Sequence, residues 1–166
     1  IEYLSMKKNL LKYYFENSAN VIKNLVDEEE KINLIIKNIR NCYNKKKKIL
    51  IAGNGGSSSD ADHFAGELVC TYKKRSRKSI SAISLSSNSA IITAWANDFS
   101  FSTVYERQIE SIGCKGDLLF LLSTSGGDIK KKQSINLINA AIQAKKMGIK
   151  VISLIGNNGG ELKKVS

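Results

Sequence analysis

The sequence predicts an α/β protein: a three-layer, doubly wound sandwich with a mainly parallel sheet, preceded by an N-terminal helical hairpin. Three observations predict it. Short apolar runs at Ile49 to Ala52, Asp117 to Leu122 and Lys150 to Ile155 have the length and continuity of strands buried on both faces. Segments with the three-and-four spacing of amphipathic helices separate those runs. The strands end in turns rich in glycine and serine, and such an alternation of strand and helix implies right-handed crossovers with helices on both faces of the sheet.

The elements follow in order. Residues 6 to 26 carry Leu10, Leu11, Tyr14, Phe15, Ala19, Val21, Ile22 and Leu25 at helical spacing, and Asp27 to Glu30 open a second helix with Ile32, Ile35, Ile36, Ile39 and Cys42 on one face. These two helices precede any strand and have none of their own to cover, so their apolar face is expected to pack on another subunit. After the first strand, a helix is expected over 60 to 73, capped by Ser57, Ser58, Ser59 or Asp60. A second strand is expected over Ser79 to Leu85, then a helix capped by Ser86 to Asn88 and broken at Asn97-Asp98, and a short helix over 102 to 112. The third strand is a continuous apolar run after Asp117 and should be central. A helix from Ser134 to Met147, stopped by Gly148, leads to the fourth strand, and Gly156 to Gly160 turn into Glu161 to Val165.

At 166 residues the chain suits a single domain, with 1–45 as helices for oligomerisation and 46–166 as the α/β core. It begins at Ile1 without methionine and stops just after a strand, which reads as part of a longer chain that lacks its C-terminal helix here. Cys42, Cys70 and Cys114 are odd in number and form no C-x-x-C pair, which fits reduced thiols and a cytoplasmic location rather than a disulfide framework. No stretch has the roughly 20 apolar residues of a membrane span, and the lysine-rich N-terminal region does not read as a signal peptide. The formal charge of +11 concentrates at Lys45 to Lys48, Lys73 to Lys78 and Lys130 to Lys132. Such a field attracts nucleic acid or phosphorylated metabolites, but the runs are not interleaved with aromatics and fall at loops, so they read as solvated charge and nucleic acid is not the expected partner.

The chemistry gathers at two turns. Gly53, Asn54, Gly55 and Gly56 turn the backbone from a strand into a helix, whose unpaired N–H groups and positive dipole end make an anion site suited to phosphate. The turn lacks the Gly-Lys-Ser/Thr ending of a P-loop and the spacing of a dinucleotide fingerprint. Ser123-Thr124-Ser125-Gly126-Gly127 leave the third strand with hydroxyls and free backbone. In open α/β sheets both turns lie beyond the carboxyl ends of the strands, where ligands bind. Hydroxyls and backbone N–H groups there suit a phosphate monoester on a small molecule. His63 and Glu67, four apart on the helix after the glycine turn, share a face. They can hold a metal, move a proton, or be a plain polar pair.

These residues resemble the sugar isomerase (SIS) domain family and, within it, the phosphoheptose isomerases. The matching stretches are Gly53-Asn54-Gly55-Gly56-Ser57, Asp60-Ala61-Asp62-His63-Phe64-Ala65-Gly66-Glu67-Leu68, Ala96-Asn97-Asp98-Phe99, Gly116-Asp117-Leu118 and Ser123-Thr124-Ser125-Gly126, in order over nearly the whole chain. The resemblance implies a homotetramer that interconverts sedoheptulose 7-phosphate and D-glycero-D-manno-heptose 7-phosphate. It implies that Asn54, Gly55, Gly56, Ser57, Asn97 and Asp98 contact the sugar phosphate and that Ser123, Thr124 and Ser125 bind the phosphate. His63 and Glu67 would ligate zinc, with Glu67 also the acid/base group. Asp60 would cap the helix or orient His63.

The pattern departs from the family in two places. Gly127 to Gln133 intervene before the helix, so that Ser134 becomes the candidate for the family's last phosphate-binding serine, unless the loop is remodelled around Asp128. The family's other zinc ligands, a glutamine and a histidine on a C-terminal helix, have no counterpart, and His63 is the sole histidine. The competing expectation is a non-catalytic SIS protein that binds a phosphosugar or a replication initiator.

Overall fold

The computed structural model describes residues 2–156 and 158–166, with side chains from Leu10 onward. Two compact units are present, Ile1–Lys37 and Asn38–Ser166.

In the first unit, α1 (Glu2–Asn24) runs through a 3-10 turn (Leu25–Glu28) into α2 (Glu29–Asn44), whose last turns belong to the second unit. The expected hairpin is corrected here. Asn24 and Glu29, on either side of the turn, both keep right-handed helical angles, with φ −72° and −53°. Leu11, Phe15, Ile22 and Val26 are 59, 74, 68 and 68% exposed, so the helices do not bury their apolar faces on each other. Asp27 and Glu28 sit in the 3-10 turn, where consecutive acidic residues favour a helix start but do not reverse the chain.

The second unit holds a four-stranded, wholly parallel sheet in the order β2-β1-β3-β4, formed by β1 (Ile49–Gly53), β2 (Ala82–Ser84), β3 (Leu118–Ser123) and β4 (Lys150–Ile155). β1 and β3 are the inner pair, with Gly53 opposite Leu122. Alternation along the strands divides the core. Leu50, Ala52, Leu119, Leu121 and Val151 pack with Val104, Tyr105 and Ile109 of α5 (Val104–Ile112), with Leu137, Ala140, Ala141 and Ala144 of α6 (Ile135–Lys146), and with Leu162 of α7 (Leu162–Val165). On the opposite face, α3 (Gly56–Val69) buries Ala61 and Ala65 and sets Phe64 edge-on to Phe120, ring centroids 5.3 Å apart. Helices therefore cover both faces, as a parallel sheet requires.

Most boundaries lie within two residues of expectation. The exceptions have local causes. β2 keeps only Ala82–Ser84, because at the sheet edge Ser79 to Ser81 have a partner on one side alone. α4 (Ser89–Asp98) is capped by Asn88, whose Oδ1 accepts from the Ile91 N–H at 3.1 Å, and it includes Asn97 and Asp98 rather than breaking at them. Among the described residues no helix is long and apolar enough to cross a membrane.

The amino ends of the inner strands are tied by one buried carboxylate. Asp117, 1% exposed, accepts from the Lys48 and Cys114 backbone N–H groups at 3.1 and 2.8 Å and pairs with Lys48 Nζ at 2.6 Å. Burial opposes the charge on Lys48, yet the hydrogen bond and charge of Asp117 hold its pKa above the ordinary 10.5. Burial, helped by the Asp117 charge, pushes the Cys42 thiol above 9.0. Burial likewise raises Tyr105 above 10.0, against the hydrogen bond from Ser86 and with the Asp62 charge.

All three groups bind their proton more tightly folded than unfolded. Each therefore stabilises the fold fully below its ordinary pKa and ceases to as pH rises through the folded value. Stability is expected to be level from about pH 7 to about 8.5 and to fall from about pH 9 to about 11. Urea unfolding followed by circular dichroism across that range checks this, and a flat profile above pH 9 would contradict it.

Candidate functional site

The glycine turn after β1 is shaped by contacts on all sides. Gly53 approaches the Ser57 carbonyl so closely that a Cβ at 53 would overlap it, and Gly55 takes φ +56°, a left-handed angle that favours glycine. Gly55 is the N-cap, with no side-chain cap, which corrects the expectation that Ser57, Ser58, Ser59 or Asp60 would serve. α3 begins earlier, at Gly56, because the glycines let the backbone enter helical angles at once, and the Ser58 hydroxyl instead donates back to the Gly55 carbonyl at 2.6 Å. Asp60 falls in the second turn and lines an apolar groove with Phe64, Leu122, Leu154 and Ile155.

Beneath the turn lie residues that sequence reading missed. The Tyr105 hydroxyl donates to the Gly53 carbonyl at 2.6 Å, and Ser86 Oγ brackets Gly53, accepting its N–H at 3.4 Å and facing its carbonyl at 3.2 Å. Asn54 and Asn136 exchange amide hydrogen bonds in both directions, at 2.9 and 2.8 Å, and Asn136 Oδ1 also accepts the Leu137 N–H at 3.0 Å. The signal for Asn136 was present, since it shares a helical stripe with Ala140 and Ala144, all buried. A polar residue on such a stripe must find a partner. Tyr105 gave no comparable signal, because an aromatic on a helix face reads as core.

The second turn is equally determined. Ser123 Oγ accepts the Gly126 N–H at 3.0 Å and Ser125 Oγ the Gly127 N–H at 3.3 Å. Gly126, at φ +75°, lies against the Gly159 carbonyl, and its own carbonyl accepts the Leu162 N–H at 2.8 Å. Ser134, at the N-cap of α6, holds left-handed angles of φ 53° and ψ 33°, a costly conformation for a residue with a Cβ.

A cavity of about 250 Å³ between the turns is lined by Asn54, Gly55, Ser57, Ser123, Thr124, Ser125 and Ser134 together with Leu122, Gln133 and Leu137. Most of the predicted anion-binding residues thus converge, including Ser134 from beyond the extra segment. The cavity opens where β1 and β3 send their connections to opposite sides, the usual ligand position in such sheets.

Two predicted pairs lie elsewhere. Asn97 and Asp98 are exposed in the last turn of α4 and bond to each other at 2.7 Å. His63 and Glu67 share a face of α3, Nε2 to Oε1 3.6 Å, with side chains 80 and 55% exposed. Along the helix from Ser57, His63 stands about 9 Å and Glu67 about 15 Å away, both beyond one turn from the cavity between the turns. Behind Glu67, the Arg77 guanidinium donates to the carbonyls of Glu67 at 2.7 Å, Leu68 at 3.0 Å and Lys78 at 2.9 Å, and also to that of Cys70. It closes the carbonyl end of α3 with a positive charge, favourable to the helix dipole.

His63 and Glu67 are two donors, whereas catalytic zinc takes three protein ligands. Among the described residues no group of three or more histidine, cysteine, aspartate or glutamate side chains is placed to hold a metal. The pair by itself does not fit zinc.

Comparison with known proteins now adds to this geometry. The SIS domain family matches residues 13–156. The chain belongs to that family. It is 44% identical over 135 residues to the phosphoheptose isomerase of Helicobacter pylori strain Shi470, covering 81% of this chain and 65% of that protein. It is 38% identical over 164 residues to that of Buchnera aphidicola from Acyrthosiphon pisum (strain Tuc7), covering 97% and 81%. A solved phosphoheptose isomerase from Francisella tularensis superimposes with a TM-score of 0.83 at 30% identity, over 95% of this chain and 80% of that one. The chain thus falls among the phosphoheptose isomerases, which are isomerase enzymes, and spans 65 to 81% of these relatives' lengths.

Asn136→Leu keeps the number and branching of side-chain heavy atoms but removes both amide hydrogen bonds to Asn54. It is expected to lower stability by about 1–3 kcal/mol in urea unfolding and to weaken phosphate binding by loosening the glycine turn. An unchanged unfolding midpoint would show that the amide pair contributes nothing.

Proposed function

We propose that the chain isomerises a seven-carbon sugar phosphate, interconverting sedoheptulose 7-phosphate and D-glycero-D-manno-heptose 7-phosphate, the entry to ADP-heptose and the lipopolysaccharide core. One observation carries this reading. A hydroxyl-lined cavity at the N-terminus of α3 shares that helix with an imidazole–carboxylate pair, His63 about 9 Å and Glu67 about 15 Å along the axis from Ser57, in a chain of the phosphoheptose isomerase group. In a 7-phosphate, the reacting carbons C1 and C2 are at the far end from the phosphate. A substrate anchored by Ser123, Thr124, Ser125, Ser134 and the Gly55–Ser57 N–H groups, and lying along α3, directs its carbonyl end toward Glu67.

The chemistry is one proton transfer between adjacent carbons. Glu67 removes the C1 proton of the ketose, giving the enediol, and returns it to C2, while O1 loses and O2 gains a hydrogen. Asn54, fixed by Asn136, and the turn N–H groups orient the phosphate; Gly56, Asn97 and Asp98 are proposed sugar contacts. His63 beside Glu67 steadies its carboxylate. Zinc is proposed only with further ligands from another chain or a segment outside this sequence.

We also propose that the protein is a homotetramer, supported by the exposed apolar residues of α1 and α2 and by the exposure of His63 and Glu67, which need cover to exclude water. A reducing, cytoplasmic setting is supported by the free thiols of Cys42, Cys70 and Cys114. Light scattering at micromolar concentration is expected to give four chains per particle, and replacing Phe15 and Ile22 with serine should shift it toward monomer. A wild-type monomer would remove this part of the reading.

Glu67→Gln preserves shape and removes the base. Conversion of sedoheptulose 7-phosphate is expected to fall at least about 100-fold, the typical contribution of a general base, with substrate binding kept. Turnover near the parent's would take the role from Glu67. A wild-type protein that binds the phosphosugar and never turns it over would favour the second reading, a non-catalytic SIS protein, to which the exposure of the pair also lends support.

A further inference from the structure

The segment between Gly127 and Ser134, for which the phosphosugar reading has no use, forms one wall of a larger cavity of about 780 Å³, whose other wall is the stretch from Asn158 to Lys164. Four lysines line it, Lys130, Lys131, Lys163 and Lys164, with two carboxylates, Asp128 and Glu161. Asp128 lies 3.9 Å from Lys131, and Glu161 is 2.9 Å from Lys164. Among the described residues, Lys130 and Lys163 have no carboxylate within 4.0 Å. Both are solvent-exposed, so two ammonium groups without a carboxylate partner are available to an anion in this one cavity.

The wall is built rather than loose. Asp128 and Gln133 form an isolated antiparallel bridge with N–H to carbonyl distances of 3.0 and 2.8 Å, and Asp128 Oδ1 accepts the Lys131 N–H at 3.0 Å. The opposite wall is fixed to it by the Glu161 and Leu162 N–H groups, which donate to the carbonyls of Gly127 and Gly126 at 3.2 and 2.8 Å. Ser125 and Gln133 line both this cavity and the smaller one between the two turns, so the two share a wall.

We propose that this lysine-lined cavity is a second phosphoanion subsite, adjoining and distinct from the site at Ser123 to Ser125. Ammonium groups are point charges suited to phosphoryl oxygens. No aromatic side chain lines the cavity, which argues against stacked bases. The phosphoryl group can come from two sources, a second phosphate on the sugar or a free anion from solution. The subsite extends the phosphosugar reading without depending on it.

The test titrates the full chain with inorganic phosphate by calorimetry. Two equivalents per chain are expected. Lys130→Gln with Lys163→Gln should weaken one of them about tenfold or more, the loss expected for charge-assisted contacts. Ser57→Ala with Thr124→Ala, which line the smaller cavity and not the lysine-lined one, should weaken the other. A single equivalent that survives the lysine double variant overturns the proposal and leaves the serine-loop reading standing. An equivalent lost with the lysines, while the Ser57 and Thr124 variant binds as the parent does, supports the proposal and sinks the serine-loop reading instead. Kinetics separate the sources. A substrate phosphate predicts that the lysine variant raises KM for a ketose bisphosphate and not for the monophosphate. A free anion predicts that millimolar phosphate changes wild-type turnover without competing, and that the variant is insensitive.

Discussion

The side-by-side pairing of β1 and β3 is the constraint on which the rest depends. Parallel strands present their carboxyl ends at one edge, so register alone, Gly53 opposite Leu122, brings the glycine turn and the serine turn together. Their following helices then leave on opposite faces, α3 over Phe120 and α6 into the cluster of Leu119 and Leu121. The gap between the diverging connections is the cavity. At the other end of the same two strands, Asp117 accepts the Lys48 N–H and holds its ammonium, so both ends of the inner pair are cross-tied.

Polar groups buried under the turns convert that placement into a defined site. A glycine-rich turn is conformationally free by composition, and freedom works against pre-organised binding. Tyr105, Ser86 and Asn136 remove it by satisfying Gly53 and Asn54 with hydrogen bonds from three different elements. Arg77 plays the matching part at the far end of α3, where it occupies the carbonyls behind Glu67. Both ends of α3 are thus secured by side chains from elsewhere in the chain, Tyr105, Ser86 and Asn136 at the glycine turn and Arg77 at the carbonyl end.

Charge distribution separates into used and unused parts. Within the basic run of Lys73 to Lys78, Arg77 is committed to backbone carbonyls, whereas Lys130 and Lys163 remain uncompensated around a cavity. The helical arm is the complement: its sequence pattern is amphipathic, yet Phe15, Ile22 and Val26 lie exposed in the single chain. Among the described residues nothing covers that apolar stripe, which is the observation behind the proposed assembly of copies.

Strand runs, their parallel pairing, the helix positions and the two glycine- and serine-rich turns were legible in the sequence, because hydrophobic period and glycine placement are local properties of the chain. So were the contributions of Ser123, Thr124, Ser125 and Ser134 to one cavity. The hairpin was misread, since amphipathic pattern states that a face must be buried but not against what. The cap of α3 was misassigned among several serines, because which residue ends a turn depends on the φ +56° that only the folded path reveals. Tertiary structure alone decided that Asn136 would lock Asn54 across 82 positions of sequence and that Tyr105 would support Gly53. Such contacts join residues distant in sequence, and no local period encodes them.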